Sequence, residues 1–243
     1  MNKTVKRILL GIGVFGVTPL LLMGGLPKTN EMNVIETKEI VHNIFAVNDA
    51  FVNMFLLKDG DNYVAIDAGN NINTITTELK KLRINPEKVS AVLLTHSDGD
   101  HVGALTLFKN ATIYLSKDEE QMINGKTARM MSKYNKIDTK VYTLLNDQQT
   151  IRLGNLSVKG ILTPGHTPGS MCYLVNGKYL FVGDAFGLKN GKVDKPNMKY
   201  TGDMKTAIQS FDKIIKLPKA QYIFTAHTGY SINYKNAINT TLN

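Results

Sequence analysis

Four of the five histidines stand beside glycine, aspartate or threonine at the ends of apolar runs, where side chains can gather around a metal. The densest cluster is Thr95-His96-Ser97-Asp98-Gly99-Asp100-His101-Val102-Gly103, which packs two imidazoles and two carboxylates into a few residues. Imidazole nitrogen with carboxylate oxygen is a borderline-hard donor set suited to zinc, manganese or iron. Gly99 is expected to let the backbone turn tightly enough to aim several of these groups at one point. The second element, Thr163-Pro164-Gly165-His166-Thr167-Pro168-Gly169, surrounds one histidine with two prolines and two glycines and implies a rigid, sharply bent presentation. The third is Val182-Gly183-Asp184 and the fourth Thr225-Ala226-His227-Thr228-Gly229. Each alone reads as an ordinary strand-end residue; the four together point to a shared metal site. His42 falls outside the pattern and reads as a surface or structural histidine. Cys172, the only cysteine, lies in an apolar strand and reads as a buried thiol rather than a ligand.

These clusters need strands to carry them. Ile44–Val47, Val52–Leu57 and Tyr63–Ile66 read as strands, with Asp59-Gly60-Asp61-Asn62 as a hairpin turn between the last two. Residues 70–83 carry Ile72, Ile75, Leu79 and Leu82 at helical spacing. Val89–Leu94 is a continuous apolar run, as in a strand buried on both faces, and it leads directly into the densest cluster. The carboxyl end of such a strand is where α/β sheets present ligands. A helix is predicted from near Val102, a strand over residues 112–115, and a helix over residues 117–134. Strands follow at 141–145, 150–153, 156–162, 171–175 and 179–182, then an amphipathic helix over 203–217 with Ala207, Ile208, Phe211, Ile214 and Ile215 on one face. A last strand at 221–225 and a short helix at 233–242 close the chain. Two β-rich halves, each with helices, imply sheets covered by helices.

The chain has 243 residues, 43% hydrophobic and 20% charged, enough for one domain with a sizeable core and too apolar for intrinsic disorder. One cysteine excludes a disulfide scaffold. The net charge of +9 is mostly scattered lysine, and no nucleic-acid partner is expected. Lys3, Lys6 and Arg7 precede 20 uncharged residues from Ile8 to Pro27, about the length that spans a bilayer as a helix. Residues 1–33 therefore read as a membrane anchor or a signal peptide with a linker, and residues 34–243 as a single domain. Its place is either the cell membrane, outside the cytoplasm, or the secreted fraction.

Over about residues 36–240 these motifs resemble the metallo-β-lactamase superfamily, whose hallmark is a T-H-x-H-x-D-H loop followed by a histidine in a P-G-H-T-P-G turn, a G-D and a last histidine. Here they stand as Thr95–His101, His166, Gly183-Asp184 and His227; Asp67 in Asp67-Ala68-Gly69 and the strand Asn53-Met54-Phe55-Leu56-Leu57 match further features. The resemblance implies an α/β (α+β) fold, an αββα sandwich, here with an added N-terminal apolar helix. It implies two divalent metal ions, zinc first and manganese or iron next. One would be held by His96, Asp98 and His166, the other by Asp100, His101 and His227, with Asp184 bridging. Asp98 departs from the pattern, which has a histidine there. A carboxylate adds a negative charge, which should make the bound water less acidic and favour harder metals.

The implied activity is hydrolysis of a small-molecule ester, thioester, lactone or phosphodiester through a metal-bound hydroxide, with Asp100 or Asp184 taking the proton from water. Asp184 stands where many class B β-lactamases have Cys or Ser, so penicillin hydrolysis is not favoured. A non-catalytic metal-binding module at the membrane and a single-iron oxygenase of the same fold remain the alternatives.

Overall fold

The computed structural model describes residues 32–129, 133–217 and 220–239. The apolar segment at 8–27 lies outside them, and among the described residues no helix is long and apolar enough to cross a membrane.

The first sheet runs in the order β1 (Lys38–Val41), β2 (Ile44–Asp49), β3 (Val52–Asp59), β4 (Asn62–Ile66), β5 (Val89–Leu93), β6 (Thr112–Ser116), β7 (Thr143–Leu145). Hairpins make its first four strands antiparallel, and crossovers make β4 to β7 parallel. The second sheet is built from β8 (Thr150–Leu153), β9 (Leu156–Leu162), β10 (Met171–Val175), β11 (Tyr179–Phe181), β14 (Tyr222–Phe224) and β15 (Tyr230–Ser231). These lie in the order β15-β14-β11-β10-β9-β8, while β12 (Gly187–Lys189) and β13 (Lys192–Asp194) form a separate hairpin.

Strand periodicity sorts the apolar residues into three layers. Phe55, Leu57, Val64, Ile66 and Leu93 point inward to meet Val158, Tyr173, Val175, Phe181 and Phe224 of the other sheet. The rings of Phe55, Phe181 and Phe224 lie 4.6–5.5 Å apart and join the two sheets. Their chain neighbours Met54, Leu56, Ala65 and Val92 face outward, under Ile75 and Leu79 of helix α1 (Ile72–Leu82). On the far side, Ile161, Cys172, Leu180 and Ile223 pack against α4 (Met204–Ile215) and α5 (Tyr234–Ile238). The result is the expected helix–sheet–sheet–helix sandwich. Cys172 is fully buried, and the His42 side chain is 90% exposed.

Five expectations change. The helix expected to begin near Val102 instead ends there, because Gly103 packs its backbone directly against Asn70 and donates to the Gly69 carbonyl. The helix over 117–134 shrinks to α3 (Glu120–Ile123), because Gly125 turns the chain with φ +80° and residues 126–129 run irregularly. Ile208 is 44% exposed; Ser210 takes the buried place on α4 instead. Gly99 has ample space at its Cβ and no left-handed φ; the turn is a one-turn helix α2 (Gly99–Val102), which any residue could start. The last helix ends at Ile238, with residues 240–243 outside the described set.

Candidate metal centre

Every motif arrives at one edge of the sandwich, at the carboxyl ends of strands: Asp67 after β4, His96 to His101 after β5, His166 after β9, Asp184 after β11 and His227 after β14. Parallel pairing of β4 with β5 and of β11 with β14 brings these ends together across two halves of the chain. Gly183 is needed where it stands. Its φ is +51°, and a Cβ there would come within 2.5 Å of Thr95 Oγ1.

Two groups of ligand atoms converge. His96, His166 and Asp184 form one; Asp100, His101 and His227 form the other. Asp184 links them: Oδ2 lies 3.5 Å from His166 Nε2, while Oδ1 lies 3.5 Å from His101 Nε2 and 3.2 Å from His227 Nε2. Asp100 Oδ2 lies 3.6 Å from His101 Nε2 and 3.5 Å from His227 Nε2. Ligands at about 2.1 Å from a tetrahedral ion stand about 3.4 Å apart, so these spacings fit a divalent cation in each group. Asp98 stands beside the first group rather than within it, with Oδ2 3.1 Å from His166 Nε2 and 3.6 Å from His96 Nε2.

The chemistry of the donors agrees. His96 Nε2, His101 Nε2 and Asp184 Oδ1 are buried with no hydrogen-bond partner, a costly condition that a cation relieves. The opposite ring nitrogens are committed elsewhere. His101 Nδ1 donates to Asp67 Oδ2 at 2.9 Å, and His227 Nδ1 donates to the Phe51 carbonyl at 2.6 Å. That fixes the tautomer that leaves Nε2 bare for a metal. Asp67 also accepts from the Thr95 amide at 2.7 Å, so one carboxylate steadies both ends of the cluster.

Electrostatics mark the same place. Burial acts against the ionised form of Asp184, yet the imidazoles of His227, His101 and His166 outweigh it and hold its carboxyl well below the usual range. Burial likewise opposes protonation of His101, but Asp67, Asp184 and Asp100 raise it to about 10. Burial lowers His166, against the pull of Asp184 and Asp98. Asp98 is raised by burial, and its hydrogen bond with His166 and the pull of the nearby His96 prevail and hold it low. Negative charge is concentrated here in a form that divalent cations neutralise.

Three side chains that the motifs did not reveal hold the loops in place. Glu119, fully buried, accepts from the Ser97 amide at 2.9 Å and hydroxyl at 2.6 Å, and from the Thr167 hydroxyl at 2.6 Å and the Gly169 amide at 3.1 Å. It ties the loop of His96 to the loop of His166. Arg129 and Asn135 both donate to Asp98. Beside His166 opens a cleft of about 570 Å³, walled by Met122, Thr127, Arg129, Pro168 and Thr201. Thr201 and Gly202 thus help to wall this cleft.

Comparison with known proteins places this arrangement. The family model of the metallo-beta-lactamase superfamily matches residues 47–227. The probable polyketide biosynthesis zinc-dependent hydrolase PksB of Bacillus subtilis is 36% identical over 124 residues, covering 50% of this chain and 48% of the relative. The chain therefore spans about half the length of that relative. A probable metallo-hydrolase of Methanocaldococcus jannaschii is 31% identical over 166 residues, 68% of this chain and 69% of its own. Among solved structures, a B3 metallo-beta-lactamase with an active-site glutamic acid superposes with a TM-score of 0.65 at 19% identity, covering 88% of this chain and 91% of its own, a likeness of fold. The family match runs from the second strand to the last histidine of the site, and on it this chain belongs to the metallo-β-lactamase superfamily.

Proposed function

We propose that this domain is a metal-dependent hydrolase that cleaves a small ester, thioester, lactone or phosphodiester. The observation that carries the reading is the meeting of two ligand groups on the two oxygens of Asp184. His96, His166 and Asp184, with Asp98 beside them, would hold one divalent ion; Asp100, His101 and His227, with Asp184, would hold the other. The hydrolase names of the relatives agree with zinc as the first candidate. Bound ions supply Lewis acidity, acidifying a water and polarising the bond under attack.

The chain's own groups do the rest. Asp100 turns Oδ2 to the two imidazoles and leaves Oδ1 to take a proton from the attacking water. Asp184, with both oxygens turned to the ligand groups and its carboxyl held ionised, suits a bridging ligand better than a proton acceptor, which leaves that role to Asp100. The cleft of about 570 Å³ beside His166 is of a size that takes a small substrate. The sequence at 8–27 supports a membrane-anchored or exported location for the domain.

The test is a panel of chromogenic esters, thioesters, lactones and phosphodiesters, run with zinc, manganese and chelator. The reading expects turnover on one class that chelator abolishes and metal restores, and that Asp184→Asn lacks. A metal-loaded protein inert on every class would replace it with the non-catalytic binding module.

A further inference from the structure

Asp98 is the one position of the metal-binding loop that departs from the resembled pattern, and its surroundings explain how the departure is accommodated. Arg129 Nε donates to Asp98 Oδ1 and Oδ2, both at 2.9 Å, and Asn135 Nδ2 donates to Oδ1 at 2.8 Å. Arg129 is itself fixed: Nη2 donates to the Tyr200 carbonyl at 2.6 Å, and its backbone amide donates to the Lys133 carbonyl at 2.6 Å. The same Nη2 lies 3.1 Å from His166 Nε2, so the guanidinium lies against the metal centre itself. Both side chains are largely withdrawn from solvent, Arg129 at 12% and Asp98 at 19% exposure. A planar guanidinium held at this many points cannot swing out cheaply to solvent.

We propose that Asp98 and Arg129 act as a single neutral unit that replaces the imidazole of the resembled motif, Arg129 serving as the positioning residue for the Asp98 carboxylate. The inference rests on the metal-binding reading of the site. A histidine brings no net charge to the ion; an aspartate alone brings one negative charge; aspartate with arginine again brings none. Arg129 also directs Oδ2 toward His96 and His166, which compensates for the shorter reach of aspartate. The extra negative charge expected at this ion from the sequence is therefore cancelled, and with it the expected bias toward harder metals.

The consequence opposes the motif. Asp98→His restores the common pattern, yet it leaves an unpaired guanidinium against a divalent cation, so it weakens metal binding instead of improving it. Arg129→Met frees a carboxylate that regains its full negative charge but loses the donor that aims it, with Asn135 still on Oδ1. Only the double substitution returns a neutral, self-consistent set.

The experiment is a zinc titration of the full-length chain against a chromophoric chelator, with bound metal counted by elemental mass spectrometry. It compares the parent, Asp98→His, Arg129→Met and the double variant. Asp98→His is expected to weaken the more weakly held zinc by about 10–100-fold, whereas Arg129→Met, which removes a repelling charge as it removes the orienting donor, is expected to shift metal preference more than affinity. The double variant is expected to recover to within about threefold of the parent, as coupled residues do. Arg129→Met should also raise manganese uptake relative to zinc. Asp98→Asn carries the same expectation should the histidine variant not fold. Zinc binding by Asp98→His equal to or tighter than the parent, or a double variant no better than the worse single, overturns the inference. A parent that takes up no metal under any loading overturns the metal reading as well, whereas a parent that loads and an additive cycle overturn the pairing alone.

Discussion

Glu119 makes a stringent test of how the centre is held, because one carboxylate joins two loops that carry ligands. It accepts four hydrogen bonds, from the Ser97 and Gly169 amides and the Ser97 and Thr167 hydroxyls. In Glu119→Ala the Thr167 hydroxyl has another partner at hand, Ser170 Oγ at 2.8 Å, while the Ser97 hydroxyl keeps the bond it accepts from Asn135 Nδ2 at 3.0 Å and loses its acceptor. The two buried amides have none among their present contacts. Each orphaned amide costs about 1–3 kcal/mol, so the loss is about 2–6 kcal/mol before any cavity is counted. At roughly 2–4 °C per kcal/mol for a domain of this size, the melting midpoint should fall by at least about 4 °C. Glu119→Gln keeps one acceptor oxygen and strands only one amide, so about half the loss is expected. The assay is thermal unfolding in chelator, which separates the fold from metal stabilisation, followed by zinc competition. Both variants should also bind zinc more weakly, by about tenfold or more, because the His96 and His166 loops are no longer tied. An alanine variant that melts within about 2 °C of the parent and binds zinc equally would refute the reasoning.

Three other perturbations follow from the same geometry. Asp67→Asn can no longer accept from both the Thr95 amide and His101 Nδ1 without turning a donor toward one of them, and zinc affinity should drop about 10–100-fold in a competition titration. Gly183→Ala puts a Cβ 2.5 Å from Thr95 Oγ1 at φ +51°; it should lower both the melting midpoint and the metal content, and unchanged values would mean that the Gly183 turn tolerates a side chain. In chelated protein, His101 is raised to about 10 from an ordinary value near 6.5. Its stabilising contribution is therefore complete below about pH 6.5 and is lost as pH rises through about 10. The chelated protein should melt lower at pH 9 than at pH 7. Metal competes with that proton, so zinc stabilisation should grow over the same interval, and parallel profiles with and without zinc would contradict the assignment.

The ligands were legible because each sits in a short motif at the end of an apolar strand, where glycine, proline and histidine carry meaning without knowledge of the partner. The layers were legible for a related reason: the continuous apolar run Val89–Leu94 marks a strand with two buried faces. Glu119, Arg129 and Asn135 were not legible. They lie in or just after a stretch whose composition suits a helix, and their partners stand 22 to 71 positions away in the chain. A carboxylate in that stretch carries no local sign that it will be buried against Ser97 and Gly169. Ile208 misled in the opposite direction, since helical spacing counts an apolar residue toward the core even where the packed face ends before it.

A centre of two divalent ions sharing Asp184 is what the proposed chemistry requires. Its most direct test is the metal content of the full-length protein, purified without chelator and reloaded with zinc, measured by elemental mass spectrometry beside Asp184→Asn. The account predicts about two ions per chain for the parent and a loss of about one or more in the variant. No metal in the parent, or the same content in both proteins, would contradict it.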